Sequence, residues 1–124
     1  ASIAATEVIP SLKDKFGGLS LRVPTPVASI ADITALMKQD VTVDEVNDVF
    51  RKAAQEDYYQ GILDATDEKL VSSDFIGNPC SSIVDLSLTA VVQGNLLKVV
   101  AWYDNEWAYS NRLVELTADV AKLV

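Results

Sequence analysis

The chain has 124 residues, 49% hydrophobic and 23% charged, with five glycines and four prolines, a composition suited to one globular domain over 1–124 that buries about two thirds of its unfolded surface. Ten basic against eighteen acidic residues give a net charge of -8, and there is no histidine, which disfavours a nucleic-acid partner and removes the usual proton relay at neutral pH and the usual ligand of a first-row metal. One cysteine cannot form an internal disulfide, and no apolar run reaches the roughly 20 residues of a membrane span, so the chain reads as soluble or peripherally attached, with no metal site.

Residues 2–13, SIAATEVIPSLK, read as the end of a helix with Ile3, Val8 and Ile9 as apolar contacts and Pro10 near its exit. After the Gly17-Gly18 turn, LSLRVPTPVASIADITALM alternates with a period near two, which predicts two extended segments joined at the Pro24 to Pro26 kink. The second segment puts Ala28, Ile30, Asp32 and Thr34 on one face and Ser29, Ala31, Ile33 and Ala35 on the other, a pattern suited to a sheet interior. Thr42 and Glu45 form a T-x-x-E capping box, and Val43, Val46, Val49, Phe50 and Ala53 make one stripe of the helix that follows.

Further on, the residues around Gly61-Ile62-Leu63, then KLVSSDFIG (69–77) and CSSIVDLSLTAVVQ (80–93), are strand candidates. Gly94-Asn95 signals a hairpin, because both residue types accept positive φ. LLKVVAWY (96–103) is apolar on nearly both faces and predicts a central strand covered on each side. Tyr109, Leu113, Leu116, Val120 and Leu123 recur at helical spacing to the end. The expected fold class is α+β, a largely antiparallel mixed sheet with helices on one face, ending in a C-terminal helix.

The densest chemistry lies at the joint AWYDNEWAYSNR, residues 101–112. One reading is structural: Asp104 or Asn105 caps the helix while Trp102, Trp107 and Tyr109 fill the edge of the core. The other is a platform for a planar ligand, with the Asn105 amide donating to and accepting from a carboxamide and Tyr109 against a ring.

WYDNEWAYSNR resembles the WYDNE-x-GYS-x-R signature of phosphorylating glyceraldehyde-3-phosphate dehydrogenases. LRVPTP, GILDATDEKLVSSDF and SSIVDLSLT resemble further segments of that family, in its order and approximate spacing. The resemblance covers essentially the whole chain, matches roughly the last third of the family's polypeptide, and has a photosynthetic-type flavour, which implies the cytoplasm or a plastid stroma. It implies that Arg22 binds substrate or inorganic phosphate, that Asn105 holds the nicotinamide carboxamide, and that Tyr109 packs beside that ring. Ala108 stands where the signature has glycine; were φ positive there, its methyl group would strain the backbone by about 1 kcal/mol or more.

The family's reaction needs a cysteine thiolate that carries a hemithioacetal and then a thioester, a histidine for the proton transfers, and NAD or NADP as hydride acceptor. Cys80 falls in NPCSSIV, away from the position of the family's nucleophile, and no G-x-G-x-x-G opens a dinucleotide-binding unit. No catalytic residue is therefore expected in this chain, and no cofactor is expected to be bound by it alone. Two functions follow. The chain is the C-terminal segment of the catalytic domain, active only with the remainder of the enzyme. Alternatively it is a noncatalytic docking or structural subunit derived from that domain, which is the physically favoured reading if 124 residues is the real length. Both readings require a protein partner, whether the enzyme's remainder, a homo-oligomer or a larger complex. A phosphate sensor built on Arg22 alone is weaker, since one arginine without a backbone nest supplies little affinity.

Overall fold

In the computed structural model of the protein the backbone is described for residues 2–123 and the side chains for residues 4–123. The elements run α1 (Ser2–Val8), β1 (Ser29–Leu36), α2 (Val43–Ala53), β2 (Leu63–Thr66), β3 (Ser82–Asp85), β4 (Ala90–Val92), β5 (Leu96–Tyr103) and α3 (Trp107–Ala121). Because β5 is apolar on both faces it takes the centre of the sheet, with Leu97, Val99, Val100 and Ala101 buried. Along one side it pairs antiparallel with β1, from Ser29 opposite Tyr103 to Leu36 opposite Leu96. Along the other it pairs antiparallel with β3 near its end and with β4 near its start. β2 joins β3 in parallel and forms the far edge. The sheet is thus mixed and largely antiparallel, in an α+β chain that ends in the helix α3.

Successive strand residues face opposite sides, and the two sides are covered differently. Val84, Leu86, Leu97 and Val99 form a core cluster under Val46 and Phe50 of α2. On the opposite side Phe75, carried by a 3-10 turn over Ser72–Phe75, stacks on Trp102 with ring centroids 5.2 Å apart. The capping box starts α2 as its spacing predicts: Glu45 N donates to Thr42 Oγ1 at 3.3 Å, and Thr42 N donates to Glu45 Oε2 at 2.9 Å. The buried residue of α2 is Asn47, whose Nδ2 donates to the Leu86 carbonyl at 3.1 Å, whereas Val49 of the expected stripe is exposed.

Several expectations are corrected. Residues 17–28 form no strand; their prolines cannot donate to a ladder, and β1 is an edge strand whose only partner among the described residues is β5. The β1 faces alternate as expected, yet Ile30 and Ile33 are both half exposed, as an edge allows and an interior does not. KLVSSDFIG is a 3-10 turn and loop, because Asp74 Oδ2 accepts from Val71 N at 2.7 Å and offers the backbone a local alternative to a ladder. The β4–β5 hairpin is present, but positive φ falls on Gln93 (51°) and Gly94 (83°) and not on Asn95. Gly94 is required there, since an added Cβ would lie 2.9 Å from Asp40 Cγ. Val8 and Ile9 are exposed, so α1 buries no stripe with them, and the Ile3 side chain lies outside the described residues. The stripe of α3 is also exposed at Tyr109, Leu113, Leu116, Val120 and Leu123.

Candidate functional site

At one end of the sheet β1, β2 and β3 begin and β5 finishes, so the topology gathers Ser29, Gly61, Ser81 and the β5–α3 joint. Asp104, only 3% exposed, turns the chain from strand into helix. Its Oδ1 accepts from Trp107 N at 2.8 Å and Glu106 N at 2.9 Å, and its Oδ2 accepts from Gly77 N at 2.9 Å. The Trp107 and Gly77 N–H groups, reinforced by that of Glu106, hold the Asp104 carboxyl below the usual carboxylate range. Asp104 is therefore the cap, which releases Asn105 from that duty.

Asn105 is exposed, and its Oδ1 accepts from Ser29 Oγ at 3.3 Å. Its Nδ2 has no partner among the described residues and remains an uncommitted donor. Tyr109, one helical turn on, is 67% exposed. Asn105 and Tyr109 share a concavity of about 320 Å³ with Ser81, Tyr103, Ala108 and Arg112. Trp107 and Tyr109 do not fill the core; Trp102 does the inward packing, and its Nε1 donates to Asp85 Oδ2 at 3.2 Å. Ala108 is buried inside α3 and is absent from the described residues of positive φ, so its methyl group causes no backbone strain at the joint.

Arg22 is not brought to this concavity. It stands exposed in the 17–28 segment with no hydrogen bond or ion pair among the described residues. The Cys80 thiol is half-buried, and burial, helped by the Asp64 charge, pushes it up against the opposite pull of Arg112. A thiol held protonated is a weak nucleophile. Among the described residues no group of three or more Cys, Asp or Glu is placed to hold a metal ion, and no helix is long and apolar enough to cross a membrane. Neither Ser29 nor Arg112 stands out as a site residue by type or spacing, although Arg112 carries one signal, as the closing residue of the quoted signature.

The pattern of the family described as "Glyceraldehyde 3-phosphate dehydrogenase, C-terminal domain" matches residues 1–105. Glyceraldehyde-3-phosphate dehydrogenase of Zymomonas mobilis is 50% identical over 122 residues, which cover 98% of this chain and 36% of that protein. Glyceraldehyde-3-phosphate dehydrogenase 2 of Synechocystis sp. is 48% identical over 122 residues, again covering 98% of this chain and 36% of that protein. Glyceraldehyde-3-phosphate dehydrogenase of Mycobacterium avium is 51% identical over 115 residues, 93% of this chain and 33% of that protein. The chain thus spans about a third of the length of these relatives, and it belongs to the glyceraldehyde-3-phosphate dehydrogenase family through the family's C-terminal domain.

Proposed function

We propose that this chain is the C-terminal catalytic-domain segment of a phosphorylating glyceraldehyde-3-phosphate dehydrogenase and supplies one wall of its nicotinamide site. The observation that supports this most is the division of labour at the joint. Asp104 takes the capping hydrogen bonds, which leaves the Asn105 amide and the Tyr109 ring together on one open concavity. The donor set fits a nicotinamide: Asn105 Nδ2 is a free donor for a carboxamide oxygen, Ser29 steadies the other end of the same amide, and the exposed Tyr109 ring can lie beside a planar ring. When bound, the nicotinamide accepts hydride; Asn105 and Tyr109 orient it and exclude water from one side. Arg22, with its guanidinium unpaired, contributes a forked donor for a substrate or inorganic phosphate. The nucleophilic thiol, the proton-transferring imidazole and the dinucleotide fold come from the remainder of the enzyme, which is also the proposed partner of the exposed stripe of α3.

A photosynthetic-type parent, and a plastid stroma with it, is supported by the sequence resemblance alone, because the Zymomonas and Synechocystis proteins match to the same degree. The alternative of a noncatalytic docking subunit draws on the same exposed α3 stripe and has no observation of its own.

The test is a chimera in which this chain replaces the matching segment of the Zymomonas enzyme. We expect turnover of glyceraldehyde 3-phosphate, an increase of about tenfold or more in the phosphate KM for Arg22→Ala, and a comparable loss of NAD affinity for Asn105→Ala. A folded chimera in which neither substitution changes either constant would overturn the reading.

A further inference from the structure

Within α3 only Ala108 is buried and only Asn111 and Arg112 are half-buried; every residue from Leu113 to Ala121 is exposed. The helix is therefore attached to the sheet through its first two turns. Asp104 holds the near end through three backbone N–H groups. Arg112 holds the far end: its Nη1 donates to the Gly61 carbonyl at 2.9 Å, to Ser81 Oγ at 3.2 Å and, more weakly, to the Pro79 carbonyl at 3.4 Å. Those acceptors stand immediately before β2 and β3. The other side of the guanidinium is forked onto Glu115, Nε to Oε2 at 2.6 Å and Nη2 to Oε1. Although Arg112 lines the concavity, each of its three nitrogens already donates to a protein acceptor, which commits the guanidinium mainly to holding the helix.

Resting on the nicotinamide-wall reading, we infer that Arg112 is a positioning residue that fixes the pitch of α3 over the starts of β2 and β3 and thereby sets where Tyr109 meets the ring. Asn105 and Tyr109 lie between the two attachments, at unequal distances from the Asp104 pivot. Asn105 is next to the pivot and also tied to Ser29, so losing the far attachment moves it little. Tyr109 is a full helical turn along the lever and moves more. A displacement of about 1 Å at a substrate-positioning group is enough to weaken its contribution severely.

The experiment is a double-mutant cycle in the chimera described above, read by calorimetric NAD binding and by hydrogen exchange. Arg112→Met is expected to raise the NAD dissociation constant about tenfold with the phosphate KM unchanged, and to speed amide exchange in α3 but not in β5. In that background Tyr109→Ala should add little, whereas Asn105→Ala should keep its full effect. Glu115→Ala, which leaves the arginine in place but removes its fork, should act in the same direction more weakly and serves if Arg112→Met does not fold. Val84→Ala supplies the control: it loosens the core under α2 and should leave NAD binding unchanged. Full multiplication of the Arg112→Met and Tyr109→Ala effects, or unchanged α3 exchange in both Arg112→Met and Glu115→Ala, overturns the inference. If Asn105→Ala and Tyr109→Ala themselves leave NAD binding unchanged, the nicotinamide-wall reading fails, and α3 exchange alone decides whether Arg112 anchors the helix.

Discussion

The two longer helices of this chain are held in opposite ways. α2 carries its own start signal, the Thr42–Glu45 capping box, and lays Val46 and Phe50 on a core that the same chain provides. α3 is longer, is capped by Asp104, the residue that follows β5, and beyond Arg112 presents Leu113, Val114, Leu116 and Val120 to the surroundings. An amphipathic helix gains most of its stability from the face that it buries. The contrast teaches that α2 is held by an apolar face packed on this chain's own core, whereas α3 is held by a polar root and its apolar length is uncovered among the described residues.

The contrast can be broken or sharpened by substitution. Phe50→Ala should show the largest effect, about 3 kcal/mol of lost stability in urea unfolding, because it removes the larger of the two α2 side chains packed on the core cluster. Asp104→Ala comes next, at about 1–2 kcal/mol, through the loss of the cap. That contribution should depend on pH with a definite sign. The folded Asp104 carboxyl lies below its ordinary value, so its stabilisation is fully present above the unfolded value of about 3.9 and is lost as pH falls through the folded value. The difference between the parent chain and Asp104→Ala should therefore be constant from pH 5 to pH 7 and close below about pH 4, as measured by urea titrations at each pH. Thr42→Ala should cost about 1 kcal/mol by removing the capping hydroxyl of α2. Leu113→Ala should be smallest, within about 0.5 kcal/mol, because the side chain is already half exposed. A large loss at Leu113 in this chain would mean that α3 is packed after all.

Local signals were read best where a residue's role is settled within a few positions. The capping box at Thr42, the central strand at 96–103 and the hairpin near Gly94 are of this kind, since a cap, a doubly apolar run and a tight turn each carry their cause in adjacent residues. Alternation misled at 19–23, because a strand also needs a neighbour, and none comes alongside there among the described residues. It misled at 69–77 for a different reason: the carboxylate of Asp74 satisfies Val71 N locally and folds the segment into a turn. For the candidate site, the residue types at Asn105 and Tyr109 were legible in the signature, but which of Asp104 and Asn105 caps α3 was not. It depends on which of two adjacent side chains points inward, and that was decided when Gly77, distant in sequence, offered its N–H to Asp104.

The sequence by itself determined the family, the α+β class and the types of group available, because periodicity, capping spacing and motif order are properties of neighbouring residues. Only the tertiary structure decided that Asp104 is spent on the turn while the Asn105 amide nitrogen is left without a partner among the described residues, that β1 is an edge, and that Arg112 bridges α3 to the starts of two strands. These depend on partners more than twenty residues away, and a hydrogen bond between such partners leaves no trace in the local pattern of either segment.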